Sequence, residues 1–537
     1  MRRWNGWGDD GTAGTLPPGS SEFLDRIIGP ATPPRDATFD EALATVGESR
    51  LPAHRLVSAD AADRLLHARG QSLPDWVALR TGRIGRVPDG VGRPGDAAEV
   101  RELLRWAASI GACVIPYGGG TGVTGAFDLP DGDVPALTVD LSRMAGMTRL
   151  DEVSGLAAFG PGTPGPDVEA ALRARGRTLG HYPQSWELST VGGWVATRSV
   201  GQQSRGYGRI DERFAGGTLE APAGTLELLP HPGSAAGPDL RGLVLGSEGR
   251  LGILTNVVLR TSMLPEVEAF RAVFFPDWDR ALAGIRALAQ AELPLSMIRL
   301  STPAEAETNL ALAGHAEAMR LLRAYVGRRG AGRGRAMAVV GFTGRRRVVA
   351  AAARETFRLL ARFGAVRVPR VGSEWRKSRF RSPYLRNTLW DAGYAVDTLE
   401  TAVDWATVPS LAAGLAPMIR RALADEGERV HAFMHLSHVY PTGSSVYATY
   451  VYRLDPDPDV TLRRWRTVKE AASRVIVEHG GTISHQHGVG RDHRPWLPAE
   501  KGELGIAAIR DAAARFDPHG IMIPGVLVDD EGGEATR

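Results

Sequence analysis

The sequence predicts an α+β chain of two domains led by a helical N-terminal region, and three observations carry that prediction. Strand-like and helix-like segments alternate over residues 81–264. A second mixed set of strands and helices occupies residues 265–470. Within the first set, the apolar run Val114-Ile-Pro-Tyr117 breaks into five glycines within eight residues. Consecutive glycines let backbone N–H groups converge on a phosphate, so this loop reads as a diphosphate cradle, with a plain glycine-rich hairpin loop as the other reading.

Residues 1–80 open with a Trp- and Gly-rich arm and a Pro-rich stretch, then show helical spacing at Phe39 to Val46 and Ala59 to Ala68. They read as a helical prelude to the domain carrying the loop. Asp96 is placed to cap a helix, with Glu99 completing a capping box and Val100, Leu103 and Leu104 forming its apolar stripe. That helix ends near Gly111 and feeds the strand before the glycine loop. Gly120, Gly122 and Gly125 also match a dinucleotide G-x-G-x-x-G, with Asp140 about twenty residues on. That fingerprint needs a helix at the third glycine, and the turn-rich Ala126 to Asp133 leaves no room for one, so the loop must join two strands, Cys113 to Pro116 and Ala136 to Val139.

Further on, Gly155 to Gly162 reads as strand and turn, and a helix starts at Pro166. Pro183 to Gly201 gathers Ser185, Ser189 and Thr190 before a helix-like run, with Gly192 and Gly193 permitting close approach; an anion or a cofactor ring edge could rest there, or these residues cap and pack a helix. Leu245 to Leu254 reads as a tight turn entering a buried strand. In the second set, Phe270 to Phe275 and Ala336 to Thr343 read as strands, Trp278 to Ala291 and Arg345 to Phe363 as helices. Arg328 to Arg335 is a basic loop, either solvated or facing an anionic substrate or membrane surface. Residues 471–537 hold a helix, Leu497 to Phe516, with Leu504, Ile506, Ala507, Ile509 and Ala513 partly on one side, expected to return to the first domain; the polar tail from Asp529 is expected to fray.

Composition excludes several classes of function. With 537 residues, 43% hydrophobic and 23% charged, the chain is neither fibrous nor mostly disordered. A formal charge of +3 argues neither for nucleic acid nor for a general acidic partner, and the single cysteine, Cys113, excludes internal disulfides and cysteine-based zinc sites. No apolar run approaches a membrane span and the first residues lack an apolar signal core, so the expected location is cytoplasmic.

Chemistry concentrates in two segments. Arg379 to Thr388 gathers cations beside an aromatic residue; guanidinium forks suit phosphates and carboxylates, while a surface helix start is the alternative. His431 to Tyr447 and His485-Gln-His487 hold five of the thirteen histidines, as proton transfer or metal binding requires. Tyr440 suits acid–base work if a cation or cofactor lowers its pKa, and otherwise packs.

The order Pro116-Tyr-Gly-Gly-Gly-Thr-Gly122, Ser189-Thr-Val-Gly-Gly193 and Gly246-Ser-Glu-Gly-Arg-Leu-Gly-Ile253 resembles the FAD domain (FAD-binding PCMH-type) of the vanillyl-alcohol oxidase flavoprotein superfamily. The resemblance implies FAD contacts at Pro116, Tyr117, Gly118, Gly119, Gly120, Thr121, Gly122 and Val123 for the diphosphate. It implies Gln184, Ser185, Trp186, Glu187, Leu188, Ser189, Thr190, Thr197, Arg198, Ser199 and Val200 toward the flavin. On the adenosine side it implies Glu248, Gly249, Arg250, Leu251, Gly252, Ile253 and Leu254. Covalent attachment there often uses a histidine in the glycine loop; Thr121 stands instead, so the implied FAD is non-covalent.

Trp4-Asn-Gly-Trp-Gly8, Pro383-Tyr-Leu-Arg386, Tyr440-Pro-Thr-Gly-Ser-Ser-Val-Tyr447 and Ile483 to Gly490 narrow the likeness to the alkyldihydroxyacetone-phosphate synthase family. That resemblance implies a two-domain flavoprotein exchanging the acyl group of acyl-dihydroxyacetone phosphate for a fatty alcohol. In it, flavin N5 attacks the substrate carbon as carboxylate leaves, Tyr440 handles the proton, Arg386 grips phosphate, and His485 and His487 assist. It implies a small-molecule lipid substrate, at most peripheral membrane contact, and a homodimer. Three positions depart from the family pattern: Gln486 replaces the middle of three histidines, Gly233 replaces an arginine, and Ile523 stands where related flavoproteins commonly have Asn. The alternative is an FAD-linked D-2-hydroxy acid dehydrogenase, whose metal-binding H-x-G-D-G-N-x-H keeps only the spacing of His431 and His438 here; Gln486 stands where its anionic ligand should be, so no metal is expected. A flavoprotein scaffold without catalysis is the third possibility, and retained Arg386, Tyr440, His485 and His487 argue against it.

Overall fold

A computed structural model describes the chain except residues 1, 13, 18, 130–131, 313–315, 333 and 530–537. Most of the polar tail and Arg333 of the basic loop therefore lie outside the described residues. Alternate apolar positions and bounding glycines make the strands. In the first domain these are β1 (Val57–Ser58), β2 (Gly90–Gly92), β3 (Cys113–Tyr117) and β4 (Ala136–Asp140), forming a sheet in the order β1-β2-β4-β3. β2, β4 and β3 run parallel. The helix Ala97–Ser109 crosses from β2 to β3, burying Val100, Leu103, Leu104 and Ala107 against Val114, Leu137 and Val139. Asp96 caps it by accepting from Glu99 N, but the expected capping box is not closed: the Glu99 carboxylate reaches one residue further back, to Gly95 N at 2.7 Å.

β3 and β4 are parallel yet joined without a crossover helix, as the turn-rich loop demands, and β3 lies at the sheet edge. The exposed edge is covered by the C-terminal segment: Val114 N donates to Ile521 O at 2.7 Å and Ile523 N to Val114 O at 2.8 Å.

Next come β5 (Met147–Asp151), β6 (Leu156–Phe159), the short β7 (Arg177–Thr178), β8 (Phe214–Ala221), β9 (Gly224–Leu228), β10 (Ile253–Arg260) and the short β11 (Ser262–Met263). β7 pairs with β11; the others form an antiparallel sheet, β5-β6-β10-β8-β9. Its core joins Phe159, Phe214, Val257 and Leu259 to helices Gly165–Arg173 and Val191–Ala196.

The second domain is one seven-stranded antiparallel sheet of β12 (Val267–Phe275), β13 (Met297–Ser301), β14 (Ala336–Gly344), β15 (Val366–Val368), β16 (Tyr394–Asp404), β17 (His431–Leu436) and β18 (Gly443–Arg453), ordered β15-β12-β14-β13-β17-β18-β16. Ala432, Met434, Leu436, Val446 and Ala448 join the helix-covered core. The period of two then turns His435, Tyr447 and Glu400 to the opposite face. That face carries the chemistry.

Two expectations are corrected. The N-terminal arm, expected only to lead into the first domain, first docks on the second: Asn387 brackets Trp7 through both backbone groups, and Leu24 and Ile28 pack with Leu389, Tyr394 and Val451. The chain then enters the first-domain sheet at β1. The last helix breaks at Gly502, φ 67°, ahead of the expected stripe; in the helical run beyond it, at about 100° per residue, Leu504 and Ala507 fall on the side opposite Ile506, Ile509 and Ala513. Ile506 and Ala513 are buried, whereas Leu504 is 84% exposed and Ala507 is also in solvent.

Candidate active site

Three glycine-bearing segments, distant in sequence, meet at the end of β3. A Cβ on Gly118 would strike Thr190 Oγ1, one on Gly119 the Leu188 carbonyl, and one on Gly120, φ 59°, the Tyr117 hydroxyl. The glycine loop thus lies backbone to backbone on the segment Gln184 to Thr190. The turn Gly246 to Gly252 closes the third side: Gly249 abuts Pro116, and Glu248 N donates to Ala196 O at 2.9 Å. Glu248 itself holds φ 51° and Arg198 φ 55°, left-handed values that a packed loop must stabilise.

Individual side chains divide between structural and open roles. The Tyr117 ring packs on His67 and Phe127, Ser189 Oγ accepts from Trp194 Nε1 at 2.7 Å, Thr197 Oγ1 donates to Gly193 O, and Ser199 Oγ meets His181 Nε2 at 2.8 Å. Glu187 accepts from Tyr384 across the domains, and Ser185 O receives Leu188 N and Ser189 N. Arg250 donates to the Met522 and Ile523 carbonyls, while Leu251, Ile253 and Leu254 are core residues. Thr121, Gly122 and Val123 remain half-exposed. Thr190 Oγ1 and Trp186 Nε1 are buried without a protein partner. A cradle too tight for side chains, beside orphaned donors, fits a dinucleotide's diphosphate and ring system.

The His485 loop is fixed from two sides. Glu400, with no exposed surface, accepts three successive N–H groups, His485 at 2.9 Å, Gln486 at 2.7 Å and His487 at 3.1 Å, and the Ser484 hydroxyl at 3.2 Å. Burial alone would raise its pKa; the His487 and His485 rings and these donors hold it well below the usual carboxylate range. From the first domain, the Glu248 carboxylate accepts Val489 N at 2.6 Å and Gly490 N at 2.8 Å, although burial pushes its pKa up to about 7.

Tyr440 Oη lies 2.7 Å from His485 Nε2. Arg209 Nη1 approaches both, at 3.2 Å from the tyrosine oxygen and 3.3 Å from the imidazole nitrogen. Burial raises the Tyr440 pKa and the Arg209 guanidinium opposes that rise. His438 stacks on His485 at 5.1 Å and meets Gln486 Oε1 at 2.9 Å; burial, then His485, drives its pKa well down, leaving it neutral. His487 packs edge-on against Tyr447, which stacks on His435. Arg299 Nη2 and His435 Nδ1 both meet Glu305 Oε1, at 2.8 and 2.9 Å, and these contacts hold Glu305 down to about 2 against burial.

A cavity opens between the two groups, with Gln184, Val200 and Gln202 on one wall and Arg299, His435, His438 and Tyr447 on the other, Gln486 at its edge. Arg386 is placed apart from Tyr440 and His485: its guanidinium lies over the Trp76 ring, Nη1 donates to Gln71 O at 2.5 Å, and Nη2 stands 3.9 Å from Asp397 without a hydrogen-bond partner. His431 turns to the Thr308 hydroxyl at 2.8 Å, away from His438. Among the described residues, no group of three or more His, Cys, Asp or Glu is placed to hold a metal, and no helix is long and apolar enough to cross a membrane.

Sequence reasoning missed Arg209, Glu400, Arg299 and Glu305. Only Arg299 left a signal, a charge inside the apolar Met297-Ile-Arg-Leu300 strand.

The two domains and the glycine cradle of the first define an FAD-dependent enzyme: residues 88–229 match the FAD binding domain and residues 264–527 the C-terminal domain of FAD linked oxidases. The chain is 30% identical over 475 residues to the alkyldihydroxyacetonephosphate synthase of Dictyostelium discoideum, covering 87% of this chain and 77% of that one. It is 29% identical over 484 residues to the corresponding protein of Trypanosoma brucei brucei, 88% and 78% covered. A solved alkyldihydroxyacetonephosphate synthase structure superposes with a TM-score of 0.81 at 24% identity, over 97% of this chain and 98% of the other. The chain belongs to the alkyldihydroxyacetonephosphate synthase family.

Proposed function

We propose that this enzyme exchanges the acyl group of an acyl-dihydroxyacetone phosphate for a fatty alcohol, turning an ester into an ether without net redox change. The observation that carries it is the Tyr440–His485 contact of 2.7 Å, backed by the buried Glu400 and set beside a cavity walled by the flavin segment. FAD supplies the nucleophilic ring that the exchange needs. The glycine loop, Gln184 to Thr190 and Gly246 to Leu254 hold it, and because Thr121 offers no imidazole for attachment, it is held non-covalently.

Tyr440 passes its proton to His485 and takes one from the substrate carbon, while Glu400 and the stacked His438 keep the His485 ring in place and His487 lines the same loop. Two cations serve the phosphate: Arg386, whose Nη2 has no hydrogen-bond partner, and Arg299, on the cavity wall. Burial between the domains keeps water from the reacting centre.

The test is to purify the protein, record its visible spectrum, and incubate it with acyl-dihydroxyacetone phosphate and labelled fatty alcohol, alongside a panel of 2-hydroxy acids with an artificial electron acceptor. Labelled ether supports the reading. Flavin bleaching by a hydroxy acid with no ether product would overturn it in favour of a dehydrogenase. Tyr440→Phe is expected to abolish turnover and keep the yellow spectrum; undiminished turnover would remove Tyr440 from the reaction.

A further inference from the structure

Tyr440 and His485 come from the second domain and the C-terminal segment, but the cation that touches both comes from the first. Arg209 precedes the short helix Ile210–Arg213, and its Nη1 lies 3.2 Å from Tyr440 Oη and 3.3 Å from His485 Nε2. Its Nε donates to Asp211 Oδ1 at 3.1 Å, and Asp211 is held in turn by Arg198 at 3.4 Å. Four residues earlier, Arg205 donates to the Val439 carbonyl at 2.8 Å. The segment therefore grips the Tyr440 loop by backbone and side chain together.

A guanidinium has donors only. The His485 nitrogen facing it is therefore the lone-pair nitrogen, and the proton in the 2.7 Å contact belongs to Tyr440. The ring proton of His485 then sits on Nδ1, which faces Glu400 Oε2 at 3.4 Å. Once the Tyr440 proton crosses, the row Asp211, Arg209, Tyr440, His485, Glu400 alternates in charge from end to end. Arg209 favours the ionised form of Tyr440, and Glu400 favours the protonated form of His485 against the like-charge approach of Arg209 at 3.3 Å.

We propose that Arg209 is the positioning residue of the proton-transfer step, fixing His485 as acceptor and stabilising Tyr440 as the base. The inference rests on the reading of Tyr440 as the proton-handling group. The step balances: the Tyr440 O–H bond breaks as an N–H bond forms at His485 Nε2, the tyrosine oxygen then takes a proton from the substrate carbon, and both transfers reverse at the end with no electron gained or lost. The charged and titratable groups facing Tyr440 are Arg209 and Asp211 from the first domain, Glu400 from β16, His485 from its loop and His438 from the loop of Tyr440 itself.

The test uses the holoenzyme labelled with 3-fluorotyrosine; the Tyr440 signal among ten tyrosines is assigned with Tyr440→Phe, and its pH titration is followed by fluorine NMR. In Arg209→Gln the Tyr440 midpoint should rise by about one pH unit or more. The ascending limb of kcat/KM should move the same way, KM changing little, and Arg209→Lys should stay closer to wild type. Arg209→Met, uncharged and of similar length, is the second variant should the glutamine fail to fold. An unmoved Tyr440 midpoint in a folded variant overturns the proposal, as does loss of fold in both, which would make Arg209 a structural residue. A shifted midpoint in a protein that forms no ether supports the Arg209 inference while the synthase reading falls, so the two failures are distinct.

Discussion

Glu400 is a single carboxylate on which the His485 loop hangs. It accepts three consecutive N–H groups and a hydroxyl with none of its surface in water, and its pKa lies well below the unfolded value of about 4.3. Its contribution to stability is therefore complete above that unfolded value and is lost only in strong acid. Glu400→Gln keeps the shape but removes the charge and turns a donor toward donors. We expect a loss of about 3 kcal/mol in urea unfolding together with a large fall in turnover. A variant of wild-type stability and activity would mean the loop is held by other contacts. At this scale the sequence was uneven: Tyr440, His485 and His487 stood out because histidines cluster, whereas Glu400 and Arg209 sit alone, 85 and 231 residues from the groups they serve. Ile523 carries a backbone cost here, against which its packing is set. It holds φ 34°, a left-handed value that Asn tolerates and a β-branched residue resists, and its buried side chain reaches the Gly249–Pro116 contact.

Among the elements, the glycine loop and the segment Gln184 to Thr190 depend on each other. A Cβ on Gly119 has nowhere to go, because the Leu188 carbonyl is backbone and cannot rotate aside. Gly119→Ala should cost about 1–3 kcal/mol in the cradle, which is about five- to 150-fold in FAD affinity. Equilibrium dialysis checks it, with Gly233→Ala, in open space, as the control. Equal FAD content in the two variants would show that the cradle tolerates a side chain. Elements such as Ala97–Ser109 were legible because cap, stripe and terminating glycine all lie within one short window. The last helix was misread because its apolar residues do not form one stripe: Ile506, Ile509 and Ala513 share a face, while Leu504 and Ala507 turn away from it into solvent.

For the molecule as a whole, buried histidines set the acid limit, three of them outside the Tyr440–His485 cluster. Burial lowers His181 and His493 to about 3 and His431 to about 4. The unfolded chain protonates these rings near 6.5, so the stability they contribute is present above that pH and lost as pH falls toward the folded values. Glu248 and Asp492, raised to about 7 by burial, act in the opposite sense, favouring the fold as pH drops from 7 toward 4. His493→Gln keeps a donor for the Gly488 carbonyl and removes one acid-sensitive ring. The drop in unfolding free energy between pH 7.5 and pH 5.0 should then shrink by about 2 kcal/mol. An unchanged drop would show that the His493 ring does not stay neutral in the fold.

By itself the sequence determined what neighbouring residues dictate: the glycine loop between two strands, the capped helix before it, the order of three flavin segments, and the histidine runs that mark the chemistry. The tertiary structure alone decided what depends on encounters between distant segments. It brought Arg209 to Tyr440, seated Glu400 beneath three amides, sent the N-terminal arm to the second domain and laid residues 521–523 along β3. The physical reason is that backbone preference and apolar period act over a few residues, while a buried charge or an open strand edge is satisfied by whichever group the packed chain delivers to it.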